Sequence, residues 1–246
     1  MIRINKAEAA IPAILDSGGA GDTETNYLKA NFDAGDFEFV FKSHIYGHED
    51  VKKTLVEIQH GKCCFCEARV DHTSHGDVEH FRPKGGYQVS EGLPLIKPGY
   101  YWLAYDFNNL FFACEKCNQS YKKNYFPLDD ESKRAKSHHD DYTQEYSLII
   151  HPELDDPEQH ITFASEVVKP LDGSMKGEET IRRTGLDRKK LEDERLDYIK
   201  ILKPLAVLAK SDLPEAEEAK SLFKELGLAK SIYSSMVRAN FKDLVI

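Results

Sequence analysis

No stretch of the 246 residues approaches the roughly 18 uninterrupted apolar side chains that a membrane span requires. The opening MIRINKAEAAIPAIL also lacks the long apolar core of a secretory signal. The expectation is therefore a cytoplasmic protein with no membrane partner. Cysteine is scarce: there are five, and none lies outside the two tight clusters Cys63, Cys64, Cys66 and Cys114, Cys117. Disulfide frameworks spread their cysteines along the chain, so this clustering speaks against one and leaves a redox protein as a minor alternative. The chain shows no internal repeat, no low-complexity tract and no Gly-x-x-x-x-Gly-Lys-Ser/Thr loop. Any nucleotide-driven switching must then come from another polypeptide. A surplus of positive charge is missing too: 33 basic against 42 acidic side chains give a net charge of -9, which argues against long-range attraction to nucleic acid.

A composition of 41% hydrophobic and 30% charged residues suits one sizeable core, or one core with a smaller appended unit. The charge is uneven. Between His80 and Tyr125 six basic residues (Arg82, Lys84, Lys97, Lys116, Lys122, Lys123) face three acidic ones (Glu91, Asp106, Glu115). In HEDVKKTLVEIQH, residues 48–60, Val51, Leu55 and Ile58 recur at helical spacing. From Gly61 to about Leu128 the chain is aromatic and broken by Gly, Pro and Asn, as expected of short strands and loops pinned by a metal. Residues 129–147 read as an exposed, charged connector, with a domain boundary there. SLIIHPELDD and HITFASEVVKPLDG look like short strands, and beyond Gly177 the pattern turns helical, with Pro204 expected to kink or split the long helix. Further helices from about Pro214 and after Ala229 complete an expected bundle.

Two Cys-x-x-Cys knuckles, Cys63/Cys66 and Cys114/Cys117, predict a tetrathiolate zinc site, because a three-residue step lets two sulfurs share one tetrahedron. Cys64 is out of step and is expected to be a packed thiol. With four sulfurs filling the tetrahedron, His72 and His75 are not expected to ligate, and His138 and His139 are expected to be exposed. Between the knuckles stand Asp77-Val78-Glu79-His80-Phe81-Arg82-Pro83-Lys84 and Asn108-Asn109-Leu110-Phe111-Phe112-Ala113, and Asn118 follows the second knuckle. Phosphodiester hydrolysis needs a base, a cation to offset charge on the phosphoryl oxygens, and a rigid frame. His80, with an unperturbed pKa of about 6.5, is the natural base. Glu79 and Asn118 offer the hard oxygen ligands that suit Mg²⁺ or Mn²⁺. Lys122, about one helical turn beyond Asn118, is a candidate phosphate contact, as are Arg82 and Lys84. The zinc is expected to be structural. Taken singly, Asn118 would be a helix cap, Asn109 a turn residue and Lys122 a solvated surface lysine. The aromatic run from Tyr100 to Phe112 is expected to be core rather than a base-stacking platform.

In this order the pieces resemble the HNH endonuclease family, a small ββα-metal unit. The wording Cys-Cys-Phe-Cys-Glu, Glu-His-Phe-Arg-Pro-Lys, Tyr-Trp-Leu-Ala-Tyr-Asp-Phe-Asn-Asn-Leu and Tyr-Phe-Pro-Leu looks like the nuclease subunit of Septu-type antiphage systems, also found beside retrons. The likeness is strong over about residues 50–130. It implies His80 as base, Glu79 and Asn118 near the catalytic metal, and Asn109 bracing the loop that aims His80. It further implies DNA, or RNA, as substrate and an ATPase subunit of the same defence operon as partner. Two departures stand out: Glu79 replaces the usual Asp, and Asn118 a terminal His. The 28 residues between His80 and Asn109 form a longer insertion than small HNH units carry. The expected fold is α+β: residues 1–50 an N-terminal helical region, 51–130 the zinc-stabilised HNH core, and 131–246 a mainly helical bundle that docks the partner. The competing reading is a catalytically inactive zinc-bound module that tethers nucleic acid or a partner.

Overall fold

The computed structural model describes residues 1–71 and 74–245. Its elements mix helices with two small hairpins, an α+β arrangement. Helices α1 (Ala20–Asp33), α2 (Ser43–Tyr46) and α3 (Glu49–Ile58) come first. Strands β1 (Asp77–His80) and β2 (Leu110–Ala113) then pair antiparallel, with His80 opposite Leu110 and Asp77 opposite Ala113. A second hairpin joins β3 (Ile161–Ala164) to β4 (Val167–Pro170). Helices α4 (Met175–Thr184), α5 (Lys189–Ala209), α6 (Ala216–Leu226), α7 (Ser234–Asn240) and α8 (Lys242–Val245) follow. Among the described residues, no helix is long and apolar enough to cross a membrane.

Local chemistry explains where these elements start and stop. The His48 ring accepts from the Asp50 backbone N–H, Glu49 and Asp50 sit at the positive end of the α3 dipole, and Val51 and Leu55 are its fully buried stripe. β2 has no polar alternation because all four of its residues are buried. Gln59, just past α3, ties that helix to β2. Its amide donates to the carbonyls of Phe112 and Lys62, and its oxygen accepts the Phe112 N–H. A strand edge is thereby satisfied by a side chain.

Three sequence expectations are corrected by the packing. The first concerns residues 129–147: most of them are exposed, as expected, but the segment is anchored to the core rather than free. The Arg134 guanidinium is buried against Glu131, the Tyr100 hydroxyl and the Phe126 carbonyl, and Glu145 is enclosed with Arg82. Charged side chains enter a core when every donor finds a partner, which composition does not reveal. One hydrophobic cluster accordingly runs from Met1 to Met236, across that segment. Second, the long C-terminal helix is divided at Gly185, whose φ of 61° closes α4, and α5 continues through Pro204. Leu202, Ala206 and Ala209 are buried in a second cluster with Phe223 and Val237, and that burial offsets the roughly 3 kcal/mol of an interior proline. Third, SLIIHPELDD forms no strand beyond a single bridge at Ser147, while Ile149 and Ile150 are simply buried.

Candidate functional site

The four knuckle cysteines converge. Their sulfurs lie within 4.8 Å of one another, and the Cys66 and Cys114 sulfurs are 3.9 Å apart, about the edge of a tetrahedron with metal–sulfur bonds of about 2.3 Å. Cys64 is buried but outside this group. The first knuckle turns because the Cys63 N–H donates to the Ala68 carbonyl and Glu67 takes a φ of 62°. Glu67 is held there by the Ser234 and Ser235 hydroxyls, the amino group of Met1 at 2.9 Å and Lys62 at 3.9 Å. In the second knuckle the Cys117 N–H points at the Cys114 sulfur. Arg188, which sequence reasoning missed, places Nη1 3.4 Å from the Cys117 sulfur. Burial pushes the Cys63 thiol up, so keeping four thiolates together here requires a cation, and the donor set fits zinc.

His80 closes β1 with 6% of its surface exposed. Its tautomer follows from its partners. The Ala104 carbonyl, 2.9 Å from Nε2, can only accept, so Nε2 carries the hydrogen. The Lys84 ammonium, 3.3 Å from Nδ1, can only donate, so Nδ1 carries the lone pair. Burial, and then Lys84, holds the ring's pKa well below the usual histidine range, and the imidazole is neutral. Tyr46 packs edge-on to the ring at 4.7 Å. His80 nevertheless lines a cleft of about 350 Å³ together with Phe41, Glu79, Lys84, Asn118 and Lys123.

Glu79 is 4% exposed and lies 2.5 Å from Lys122, itself fully buried. Burial raises the Glu79 carboxyl pKa, and Lys122 opposes that rise. Lys122 also donates to the His80 carbonyl. It braces the strand and is enclosed, where the sequence expectation had a lysine free to contact phosphate. Residues 116–122 wind as a π-helical turn, closed by the Lys123 N–H donating to the Asn118 carbonyl at 2.7 Å. The Asn118 amide donates to Asp77, as does Gln119, so Asn118 Oδ1 is the atom left to face the cleft. Asn109 is buried beside the hairpin. Its oxygen accepts the Arg82 N–H, and its amide donates to the carbonyls of Arg82 and Leu103. Arg82 itself turns to Glu145 at 2.9 Å and lines a different cleft. Among the cationic candidates, Lys84 is brought to His80 and Arg82 is not.

The aromatic residues Tyr100, Tyr101, Trp102, Tyr105, Phe107, Phe111 and Phe112 are buried, as expected. His75 is exposed, and His72 lies outside the described residues. Sequence reasoning missed Tyr46, Gln59, Asp77 and Lys6. Lys6 donates to the carbonyls of Phe107 and Leu110, and its pKa is lowered to about 8 by burial. Asp77 carried a signal as the alternate acid on β1. The others reach the hairpin from distant segments and carried none.

No protein-family model matches the chain. It is 38% identical over 202 residues to Septu protein PtuB of Bacillus mycoides (strain KBAB4), a match covering 81% of this chain and 68% of that protein. It is 29% identical over 138 residues to Septu protein PtuB of Bacillus thuringiensis, covering 56% of this chain and 41% of that one. A stretch making up 28% of Septu protein PtuA of Bacillus mycoides is also similar, at 27% identity over 201 residues and 78% of this chain.

Proposed function

The chain belongs to the PtuB family of Septu proteins, and from that premise we propose that it is an HNH endonuclease, the effector of an antiphage defence complex with a PtuA-type ATPase. The observation that carries this reading is the neutral imidazole of His80, locked with Nδ1 toward a cleft that also holds Lys84, Lys123 and Asn118. In this reading residues 51–130 carry the chemistry, residues 1–50 support it, and residues 131–246 dock the partner. The substrate is DNA, with RNA the alternative polymer.

His80 Nδ1 takes the proton of the attacking water, and the Ala104 carbonyl steadies the imidazolium that forms through Nε2–H. When a phosphate enters, Lys84 exchanges its contact with Nδ1 for a phosphoryl oxygen, which frees the base as substrate binds. Asn109 fixes the backbone that follows His80, and Lys122 fixes the His80 carbonyl, so the ring stays aimed. Asn118 Oδ1 and Glu79 are the oxygen donors that would hold Mg²⁺ or Mn²⁺. Glu79 Oε1 lies 2.5 Å from the Lys122 ammonium, so its carboxylate would be shared between that cation and the ion. Such an ion supplies compensation for charge building on the phosphoryl oxygens. Cys63, Cys66, Cys114 and Cys117 would hold zinc as the structural clamp.

One observation favours the competing reading. Glu79 is already neutralised by Lys122, as in a zinc-bound tether whose acid has become structural. The test is cleavage of DNA and RNA with Mg²⁺ or Mn²⁺, with the PtuA-type partner and ATP present, by the native chain and by His80→Ala. The nuclease reading expects cleavage by the native chain and a loss of about 10²–10⁴-fold in the variant, with its zinc retained. Equal activity in both, or none in either, establishes the tether.

A further inference from the structure

A second set of metal-binding donors lies away from both the sulfur cluster and the His80 cleft. Asp33, the last residue of α1, meets His138 and His139 from a loop more than a hundred residues later. His139 Nε2 is 2.7 Å from Asp33 Oδ1, and His138 Nε2 is 3.6 Å from Asp33 Oδ2. One donor atom from each residue lies within 4.8 Å of the others. Donors bound at about 2.0–2.2 Å to a common ion stand roughly 3–3.6 Å apart, so small shifts bring all three onto one cation.

The surroundings are those of a ligand set rather than a chance encounter of surface groups. The His138 Nδ1 is 2.6 Å from the Tyr101 hydroxyl, which also accepts the His138 backbone N–H. With the ring held at Nδ1 by that hydroxyl, Nε2 is presented to the Asp33 side, and Tyr101 is the second partner that metal-bound histidines usually have. Tyr101 cannot drift, because it is buried and stacked between Phe32 at 5.1 Å and Phe39 at 4.5 Å. The loop is equally held. Asp140 accepts from the backbone N–H groups of Lys136 and Ser137, and the Ser137 hydroxyl accepts the His139 N–H. Asp33 also sits at the negative end of the α1 dipole, where a carboxylate is unfavourable unless a cation offsets it.

We propose that Asp33, His138 and His139 form a second metal site, specific for a divalent transition ion such as Zn²⁺, Co²⁺ or Ni²⁺, with solvent completing the coordination. Two imidazoles select against Mg²⁺ and Ca²⁺. The Asp33 and His139 side chains are 51% and 62% exposed, which leaves the remaining positions open to water. The bound ion ties α1 to the 134–141 loop. Through Tyr101 it also steadies the 3₁₀ turn Tyr101–Leu103, whose next residue, Ala104, holds His80.

The test uses tag-free full chain carrying one equivalent of zinc, titrated with Co²⁺ and followed by calorimetry and visible absorption. The expected result is a second equivalent bound with d–d bands and no sulfur-to-cobalt charge transfer. Asp33→Asn and His139→Gln abolish that equivalent while keeping the first metal and the native circular dichroism. Tyr101→Phe, which keeps the stacking, weakens it by about 10–100-fold. A native chain that takes no second equivalent overturns the site, as does a second equivalent that survives His139→Gln.

Discussion

The buried pair Glu79–Lys122 yields the sharpest prediction. Lys122 side-chain exposure is 0% and Glu79 is 5%, so neither charge is screened by solvent. Lys122→Met keeps the stem but removes the ammonium, stranding a carboxylate in the core and releasing the His80 carbonyl. Breaking a buried pair from one side costs about 3–5 kcal/mol. At roughly 2–4 °C per kcal/mol for a chain of this size, the melting temperature falls by about 6–20 °C. The double variant Glu79→Gln with Lys122→Met has no stranded charge and recovers most of the loss, because a neutral pair of similar volume is nearly equivalent. The assay is thermal and urea unfolding at fixed zinc concentration, followed by circular dichroism. A single variant that melts with the native chain but binds DNA less tightly would return Lys122 to a phosphate-contact role. A double variant as unstable as the single one would show that charge pairing is not the cause.

Cys66→Ser is expected to lose zinc and native near-ultraviolet dichroism together, since structural zinc contributes about 10–16 kcal/mol in small domains, as much as a whole fold; metal analysis and dichroism check this. Asn109→Ala touches no cleft group, so its effect falls on kcat with KM for DNA unchanged, read from steady-state cleavage. His151 is neutral because burial lowers its pKa to about 3, while its Nδ1 accepts the N–H groups of Glu153 and Leu154. The unfolded chain therefore binds a proton at higher pH than the folded one, and stability is lost as pH falls below about 6.5, by about 2 kcal/mol at pH 5. Against His151→Asn, the native chain shows a stability slope about one proton steeper between pH 5 and 6.5; equal slopes refute the burial argument.

Features set by local spacing were legible in the sequence. The two cysteine knuckles announced the sulfur cluster because ligand geometry is encoded at a step of three residues, and the strand character of residues 161–170 was legible through Ile, Phe and Val bounded by turn formers, though their pairing was not read. The α3 stripe was read from periodicity alone. Features set by long-range pairing were not legible. Arg82, Lys122 and Arg134 look alike in the sequence, as cations in a polar stretch, yet each is enclosed by a particular carboxylate or carbonyl from another segment. The same blindness hid Arg188 beside the sulfurs and the buried anchors Arg134 and Glu145 within the otherwise exposed segment 129–147. Pro204 does not split α5 for a related reason: propensity is local, and the burial of Leu202, Ala206 and Ala209 is not.

That pairing also changes what the local positive charge means. Six basic residues between His80 and Tyr125 suggest a cationic face, but Arg82 is committed to Glu145 and Lys122 to Glu79, and Lys97 and Lys116 do not line the His80 cleft. Lys84 and Lys123 are the two cations that do. Each phosphate neutralised contributes about -0.9 to the slope of log K against log salt. Two contacts give a slope of about -2 for the isolated chain, whereas six would give about -5. With a net charge of -9 working against it, weak DNA binding is the expected outcome for the isolated chain, and in the proposed complex the partner would supply the rest of the phosphate contacts. Salt titrations of DNA binding, with and without the PtuA-type partner, measure this directly. Replacing Lys84 and Lys123 by alanine should bring the slope of the isolated chain close to zero, and a slope near -5 that survives both substitutions would mean that nucleic acid lies on another face.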